Sequence, residues 1–292
     1  MEKFSRLDGQ MKRIRLNDRK EKDEMYQLGF IGCGNMGGAM LKKMLSTGLF
    51  QPENVIISDK NADVRNQWAK DWGVNVTDDN REAAKAEILF LAVKPQFLRS
   101  VASEIKDCIS ENTLFISIVM SFDLQLLTQI LELPKASIVR VMPNTPALVG
   151  EGVLAACRNE YVSKEQWDKT MEMLSCMGLA REVSENLMEA VTGVSGCGPA
   201  FAFLFMEALA DGGVRGGLTR KMALEFAAQT LLGSAKMLLE TGKHPGELKD
   251  MVTSPAGATI EGVAALEKNG FRYAAIEAVE AAIRRAKSFE TK

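Results

Sequence analysis

The chain has 292 residues, 46% hydrophobic and 25% charged, with 36 Lys and Arg against 38 Asp and Glu for a formal net charge of −2. Length and composition indicate a globular protein of about two domains. The near-neutral balance argues against nucleic acid or an anionic membrane surface as partner. Five scattered cysteines (33, 108, 157, 176, 197) form no C-x-x-C pair, and the single histidine is His244. The expectation is free thiols in a reducing cytoplasm and no bound metal.

Residues 1–24 are rich in Lys, Arg, Asp and Glu with scattered apolar positions, which reads as a solvated N-terminal extension. They lack the apolar core of a signal peptide. No apolar run is expected to approach the ~20 residues of a membrane helix. The compact fold is expected to begin near Met25.

A short apolar run then ends in Gly32-Cys33-Gly34-Asn35-Met36-Gly37, followed by Met40, Leu41, Met44 and Leu45 at helical spacing. Strand, glycine turn and helix in that order are the context of a dinucleotide site. Gly32 serves the tight turn, Gly34 clears the approach of pyrophosphate to the backbone, and Gly37 allows helix and strand to pack closely. The helix start offers unpaired N–H groups and a positive dipole end to phosphate.

Pro52 and Asn54 mark a turn before a second strand at 55–59. Asp59 follows Gly37 at close to the ~20 residues where an acid meets the adenosine ribose. An acid there suits NAD, whereas the adjacent Lys60 suits a 2′-phosphate, so the residues leave NADH and NADPH both open. A helix at 64–72, a short strand at 74–76 and a helix from Asn80 follow. The continuous apolar run 88–93 reads as a central parallel strand buried on both faces. It ends in Lys94-Pro95, where a strand end faces the ligand crevice; Lys94 is either a cofactor contact or a solvated lysine. Runs at 114–119 and 138–142 repeat the pattern, and the alternation with helices predicts an α/β domain with a mostly parallel, doubly wound Rossmann-type sheet over 25–185.

Near Glu185 the chain turns Ala-, Leu- and Met-rich at helical spacing. Residues 199–214 read as a largely apolar helix, and residues 186–292 as an all-helical domain. Several of its helices are too apolar for one small solvated bundle, which predicts burial against another subunit. Within it, a helix ends before Ser254 and another starts near 257–259. That turn suits either simple capping or a small carboxylate at the new helix N-terminus. His244 reads as a turn histidine rather than a general acid.

The motifs G-C-G-N-M-G, L-A-V-K-P, M-P-N-T-P, A-V-T-G-V-S-G-C-G-P-A-F, A-L-A-D-G-G-V, H-P-G-E-L-K-D-M-V and T-S-P-A-G-A-T-I-E-G, in this order from Met25 to the C-terminus, resemble pyrroline-5-carboxylate reductase. The resemblance implies a Rossmann-type domain followed by a helical dimerisation domain. It also implies reduction of Δ1-pyrroline-5-carboxylate to L-proline with NADPH or NADH, in homodimers often assembled further into decamers. Carried over, it assigns Ile31, Gly32, Cys33, Gly34, Asn35 and Met36 to the phosphate loop, Asn80 to the cofactor, and Ala92, Val93, Lys94 and Pro95 to a nicotinamide-side loop. The substrate positions fall on Glu185, Ala258 and Thr259, with Ser254 and Gly257 in the same loop. The backbone of Gly257 and Ala258 would hold the carboxylate, and Thr259, the catalytic candidate, would bond the ring nitrogen. Three departures stand out. Val119-Met120-Ser121 replace the family's usual Ala-Ala-Gly, Cys197 a common serine, and Phe201 a common tyrosine. They motivate two alternatives: a diverged paralogue reducing another small cyclic imine or carboxylate, and a non-catalytic NAD(P)-binding protein.

Overall fold

The computed structural model describes residues 25–290; the expected N-terminal extension, residues 1–24, lies outside the described residues. The chain divides into two compact units, one ending at Glu185 and one beginning at Asn186.

The first unit is built on an eight-stranded sheet of order β3-β2-β1-β4-β5-β6-β7-β8. Its strands are β1 (Leu28–Ile31), β2 (Val55–Ser58), β3 (Asn75–Thr77), β4 (Ile88–Leu91), β5 (Leu114–Ser117), β6 (Ser137–Met142), β7 (Gly152–Arg158) and β8 (Gly178–Glu182). Neighbours are parallel except β6 and β7, which run antiparallel. All residues of β1, β2, β4 and β5 are buried, as a sheet covered by helices on both faces requires. Phe30 and Phe90 sit opposite each other in register and stack at 4.5 Å, locking β1 to β4 by about 0.5–1.5 kcal/mol beyond simple burial.

Strand β8 carries no apolar run, and that of β7, 153–157, is built largely of small side chains, unlike the runs of β1, β4 and β5. In β7, Ala155, Ala156 and Cys157 take the place of branched residues, and β8 reads Gly-Leu-Ala-Arg-Glu. Their pairing is a tertiary decision. Gly152 lies opposite Gly178, and a Cβ on Gly178 (φ +137) would overlap the Gly152 backbone, so this edge closes only with glycine at 178, while a Cβ on Gly152 would instead strike Ala147.

The helices of this unit are α1 (Asn35–Ser46), α2 (Ala62–Trp72), α3 (Asn80–Ala83), α4 (Pro95–Ile105), α5 (Leu124–Leu131) and α6 (Lys164–Ser175). Their starts are written locally. The side chains of Asn61, Asp79, Asp123 and Ser163 each accept a first-turn N–H, contributing ~1 kcal/mol apiece. Pro95 occupies the first turn of α4, where its missing N–H costs nothing.

Among the described residues the second unit is helical: α7 (Met188–Val191), a π-helical run at Thr192–Gly196, then α8 (Gly198–Arg215), α9 (Arg220–Thr241), α10 (Pro245–Met251), α11 (Ala258–Lys268) and α12 (Phe271–Glu290). Gly193 in the π-helical run brings α12 close: a Cβ there would meet Ile283 Cγ1 at 2.8 Å and the Val279 carbonyl at 3.1 Å. The core of this unit is small, centred on Ala210, Ala223 and Ala227. Large apolar side chains such as Phe203, Leu204, Phe226, Leu232 and Leu239 stay exposed, far more than a solvated bundle tolerates. One expectation needs correction. The continuous helical stretch Glu185–Arg215, 31 residues, is long and apolar enough to cross a membrane by length and composition. It escapes a search for unbroken apolar runs because Glu189, Glu207 and Asp211 interrupt it.

Candidate functional site

The strand order reverses between β1 and β4, and a crevice opens at the carboxyl ends of β1, β2 and β4, where open α/β sheets bind ligands. Ile31, Gly32 and Gly34 form one wall and Asp59, Lys60 and Asn80 a second. Ala92, Val93 and Lys94 close the third side. The structure thus gathers nine of the residues singled out for cofactor. Cys33, Asn35, Met36, Gly37 and Pro95 support these walls without lining the crevice.

The three glycines differ in what a side chain would meet. At Gly32 (φ +90) a Cβ would lie 2.8 Å from the Ala92 carbonyl, and at Gly37 it would lie 2.6 Å from the Gly32 carbonyl and 2.7 Å from Ala92 Cβ. Gly37 is required by the packing of α1 on the sheet, and Gly32 by its positive φ and the close approach of the chain leaving β4. At Gly34 a Cβ would meet nothing within 4 Å, so its space opens to the crevice rather than to protein. Gly34 is also the N-cap of α1 and supplies no side-chain cap. The first-turn N–H groups there are available to an anion, with the helix dipole behind them. This cradle fits a dinucleotide pyrophosphate.

A polar chain crosses the far side. Ser58 Oγ donates to Asn80 Oδ1 at 2.7 Å, and Asn80 Nδ2 donates to Glu104 Oε2 at 2.8 Å. Asp59 accepts the Cys33 N–H at Oδ2 (3.0 Å) and the Asn61 N–H at Oδ1 (2.9 Å). Ser58, Phe97, Ser100 and Glu104 also line the crevice and escaped sequence reasoning. Phe97, Ser100 and Glu104 sit on α4, whose apolar positions Leu98, Val101, Ala102 and Ile105 are buried; only the fold shows that the side carrying Phe97, Ser100, Val101 and Glu104 borders the crevice. Cys33 is buried, and burial together with the Asp59 charge pushes its thiol well above the ordinary range.

Glu185 sits at the end of the first unit. Its Oε1 accepts the Leu124 N–H at 2.7 Å at the start of α5 and lies 3.5 Å from Nη1 of the buried Arg140. A helix N-terminus and a guanidinium therefore both hold this carboxylate.

In the second unit, Ser254, Gly257, Ala258 and Thr259 come together at the start of α11. Gly257 is its N-cap and offers no side chain, and its N–H donates to the Ser254 carbonyl at 3.1 Å. The Ser254 hydroxyl lies over Gly257 so closely that a Cβ there would overlap it. Thr259 is exposed in the first turn. Ala256 bends the loop with φ 54, and Ser121, one of the three departures, has φ 68; both are left-handed conformations that cost a residue with a side chain. His244 caps α10, its Nδ1 accepting the Gly246 N–H at 3.1 Å, a turn role.

Residues 185–289 match the family model described as pyrroline-5-carboxylate reductase dimerisation, and residues 27–121 match the one described as NADP oxidoreductase coenzyme F420-dependent. The chain is 46% identical to a pyrroline-5-carboxylate reductase of Synechocystis over 91% of this chain and 99% of that protein. To the Escherichia coli enzyme of the same name it is 42% identical over 87% and 94%. Among solved structures it is similar to a pyrroline-5-carboxylate reductase of Coxiella burnetii (TM-score 0.85, 35% identity, 91% and 99% covered). It is also similar to a Plasmodium falciparum pyrroline carboxylate reductase with NADP bound (TM-score 0.82, 34% identity, 91% and 100% covered). Sequence, glycine cradle and helical second unit lead to one conclusion: the chain belongs to the pyrroline-5-carboxylate reductase family.

Proposed function

We propose that this protein reduces Δ1-pyrroline-5-carboxylate to L-proline with NADPH or NADH, residues 25–185 holding the cofactor and residues 186–292 providing dimerisation and the substrate loop. The observation that carries this is the glycine cradle at the strand ends, open only at Gly34, in a chain of this family. The reduced nicotinamide supplies a hydride when bound. Every other requirement falls on residues of this chain. Gly34 and the first-turn N–H groups of α1 hold the pyrophosphate, Asp59 and Asn80 orient the adenosine side, and 92–95 border the nicotinamide side. The uncapped start of α11 binds the substrate carboxylate through the backbone N–H groups of Ala258 and Thr259, the Gly257 N–H being held by the Ser254 carbonyl. The ring nitrogen enters as a protonated imine, whose N–H donates to Thr259 Oγ1. The same proton remains on the product amine, so no strong acid or base is required and positioning carries the rate. Glu185, held by Leu124 and Arg140, completes the proposed substrate set.

The exposed apolar helices of the second unit suit burial against a second copy, and we read the protein as a homodimer able to build a decamer. The same interface accounts for the apolarity of Glu185–Arg215 without a membrane. Five free thiols suit a cytoplasmic location.

The test is oxidation of NADH and of NADPH in the presence of Δ1-pyrroline-5-carboxylate. Substrate-dependent oxidation is expected, and Thr259→Ala should lower kcat while nucleotide affinity stays within about twofold. Nucleotide binding without oxidation refutes the assignment of substrate. Equal loss of nucleotide binding in Thr259→Ala would assign the loop to the cofactor.

A further inference from the structure

We infer that the crevice selects NADH over NADPH, with Asp59 and Glu104 as the discriminating residues; this rests on the reading that the crevice holds the nicotinamide cofactor. NADPH differs from NADH by one phosphate on the adenosine ribose, which brings up to two negative charges to the end of β2. What faces that end decides the choice.

Two carboxylates line the crevice there, and both are pinned. Asp59 accepts one backbone N–H at each oxygen, from Cys33 and from Asn61. These bonds fix its rotamer and leave each oxygen a lone pair for a ribose hydroxyl. Glu104 is held by Asn80, which Ser58 holds in turn. Neither carboxylate can turn away without breaking a hydrogen bond.

The cations at the same end are already engaged. Lys60 Nζ donates to the Asp78 carbonyl at 2.8 Å and lies 3.8 Å from Glu104 Oε1. Arg65 donates to the Asp59 carbonyl at 2.6 Å and lies 3.7 Å from the Asp78 carboxylate. Arg81 pairs with Asp79 at 2.8 Å. Lys94, which also lines the crevice, stands at the end of β4 as the N-cap of α4 rather than at β2. A ribose with two free hydroxyls finds acceptors on Asp59. A 2′-phosphate finds two like charges, and Lys60, Arg65 and Arg81 at this end each already hold a partner. Lys60 and Arg81, with side chains 71% and 57% exposed, have the freedom to leave their partners, and doing so would release the Glu104 and Asp79 carboxylates respectively.

The test is direct binding to the purified full chain, by calorimetry or nucleotide fluorescence, for NADH and NADPH separately. The expected result is tighter binding of NADH by at least about tenfold, since like-charge juxtaposition costs several kcal/mol. Asp59→Ser should reduce that ratio about tenfold or reverse it, and Glu104→Gln should narrow it without disturbing the Asp59 bonds. Circular dichroism of each variant checks the fold, and the Glu104→Gln arm stands if Asp59→Ser fails to fold. Equal or tighter binding of NADPH by the wild type overturns the inference and assigns Lys60 to the phosphate. A ratio that neither substitution moves overturns the residue assignment. Failure of both nucleotides to bind overturns the cofactor reading beneath it, a different result from loss of selectivity.

Discussion

Gly34 and Gly37, three residues apart in one loop, should respond oppositely to the same methyl group. At Gly37 an alanine Cβ meets the Gly32 carbonyl at 2.6 Å and Ala92 Cβ at 2.7 Å. Both are held by the sheet, through Gly32 N–H to Ser58 O and Ala92 N–H to Ile31 O. Overpacking against an atom that cannot yield costs up to about 3 kcal/mol, and the helix gains back about 1 kcal/mol on replacing glycine. The net loss is about 2 kcal/mol, a drop in melting temperature of roughly 4–8 °C for a unit of this size. At Gly34 the same methyl meets nothing, and φ −67, ψ −163 suits any residue. The weaker N-cap and the stiffer unfolded chain offset one another within about 1 kcal/mol, so stability should hardly move. The methyl would instead occupy the pyrophosphate approach. Losing even one charge-assisted bond there costs about 2–3 kcal/mol, or roughly 30- to 150-fold in affinity. Thermal unfolding and nucleotide titration of the two single variants separate the cases. The reasoning is refuted if Gly34→Ala binds nucleotide like the wild type, or if it loses as much stability as Gly37→Ala.

Ser121→Gly should stabilise the protein by about 0.5–1 kcal/mol, because relief of the left-handed φ of 68 exceeds the extra unfolded-state entropy of glycine; a denaturant midpoint that stays or falls contradicts this. Arg140→Met should cost about 2–3 kcal/mol, the low end for breaking a buried pair because Glu185 keeps 34% side-chain exposure. Adding Glu185→Gln should recover part of that loss, and strictly additive costs would show that the two residues do not interact. Cys33 should resist iodoacetamide in the native protein at mildly alkaline pH, since burial and Asp59 favour its neutral thiol. Stoichiometric native labelling, read by mass spectrometry, would count against that.

The first half of the fold was legible wherever a strand is buried on both faces. Leu28–Ile31 and Ile88–Leu91 are apolar throughout, and Leu114–Ser117 is apolar up to its terminal serine, because parallel central strands leave no side for water. The glycine loop was legible because its spacing is set by sterics within a few residues. The helical character of the second half showed in its composition. Strands β7 and β8 did not show, because Ala-rich and charged residues reach strand conformation only through partners distant in sequence.

The sequence by itself determined the order of strand, glycine turn and helix, the family, and the presence of Asp59 and Lys60 side by side. Only the tertiary structure decided which of those two stands in the crevice as a fixed acceptor, since that depends on the backbone of Cys33 and Asn61 holding both oxygens of Asp59. It also brought Glu104 beside Asn80 and tied Glu185 to Leu124 and Arg140. Local sterics are written in neighbouring residues, whereas the partner of a polar side chain is chosen by whichever distant segment the core packing delivers to it.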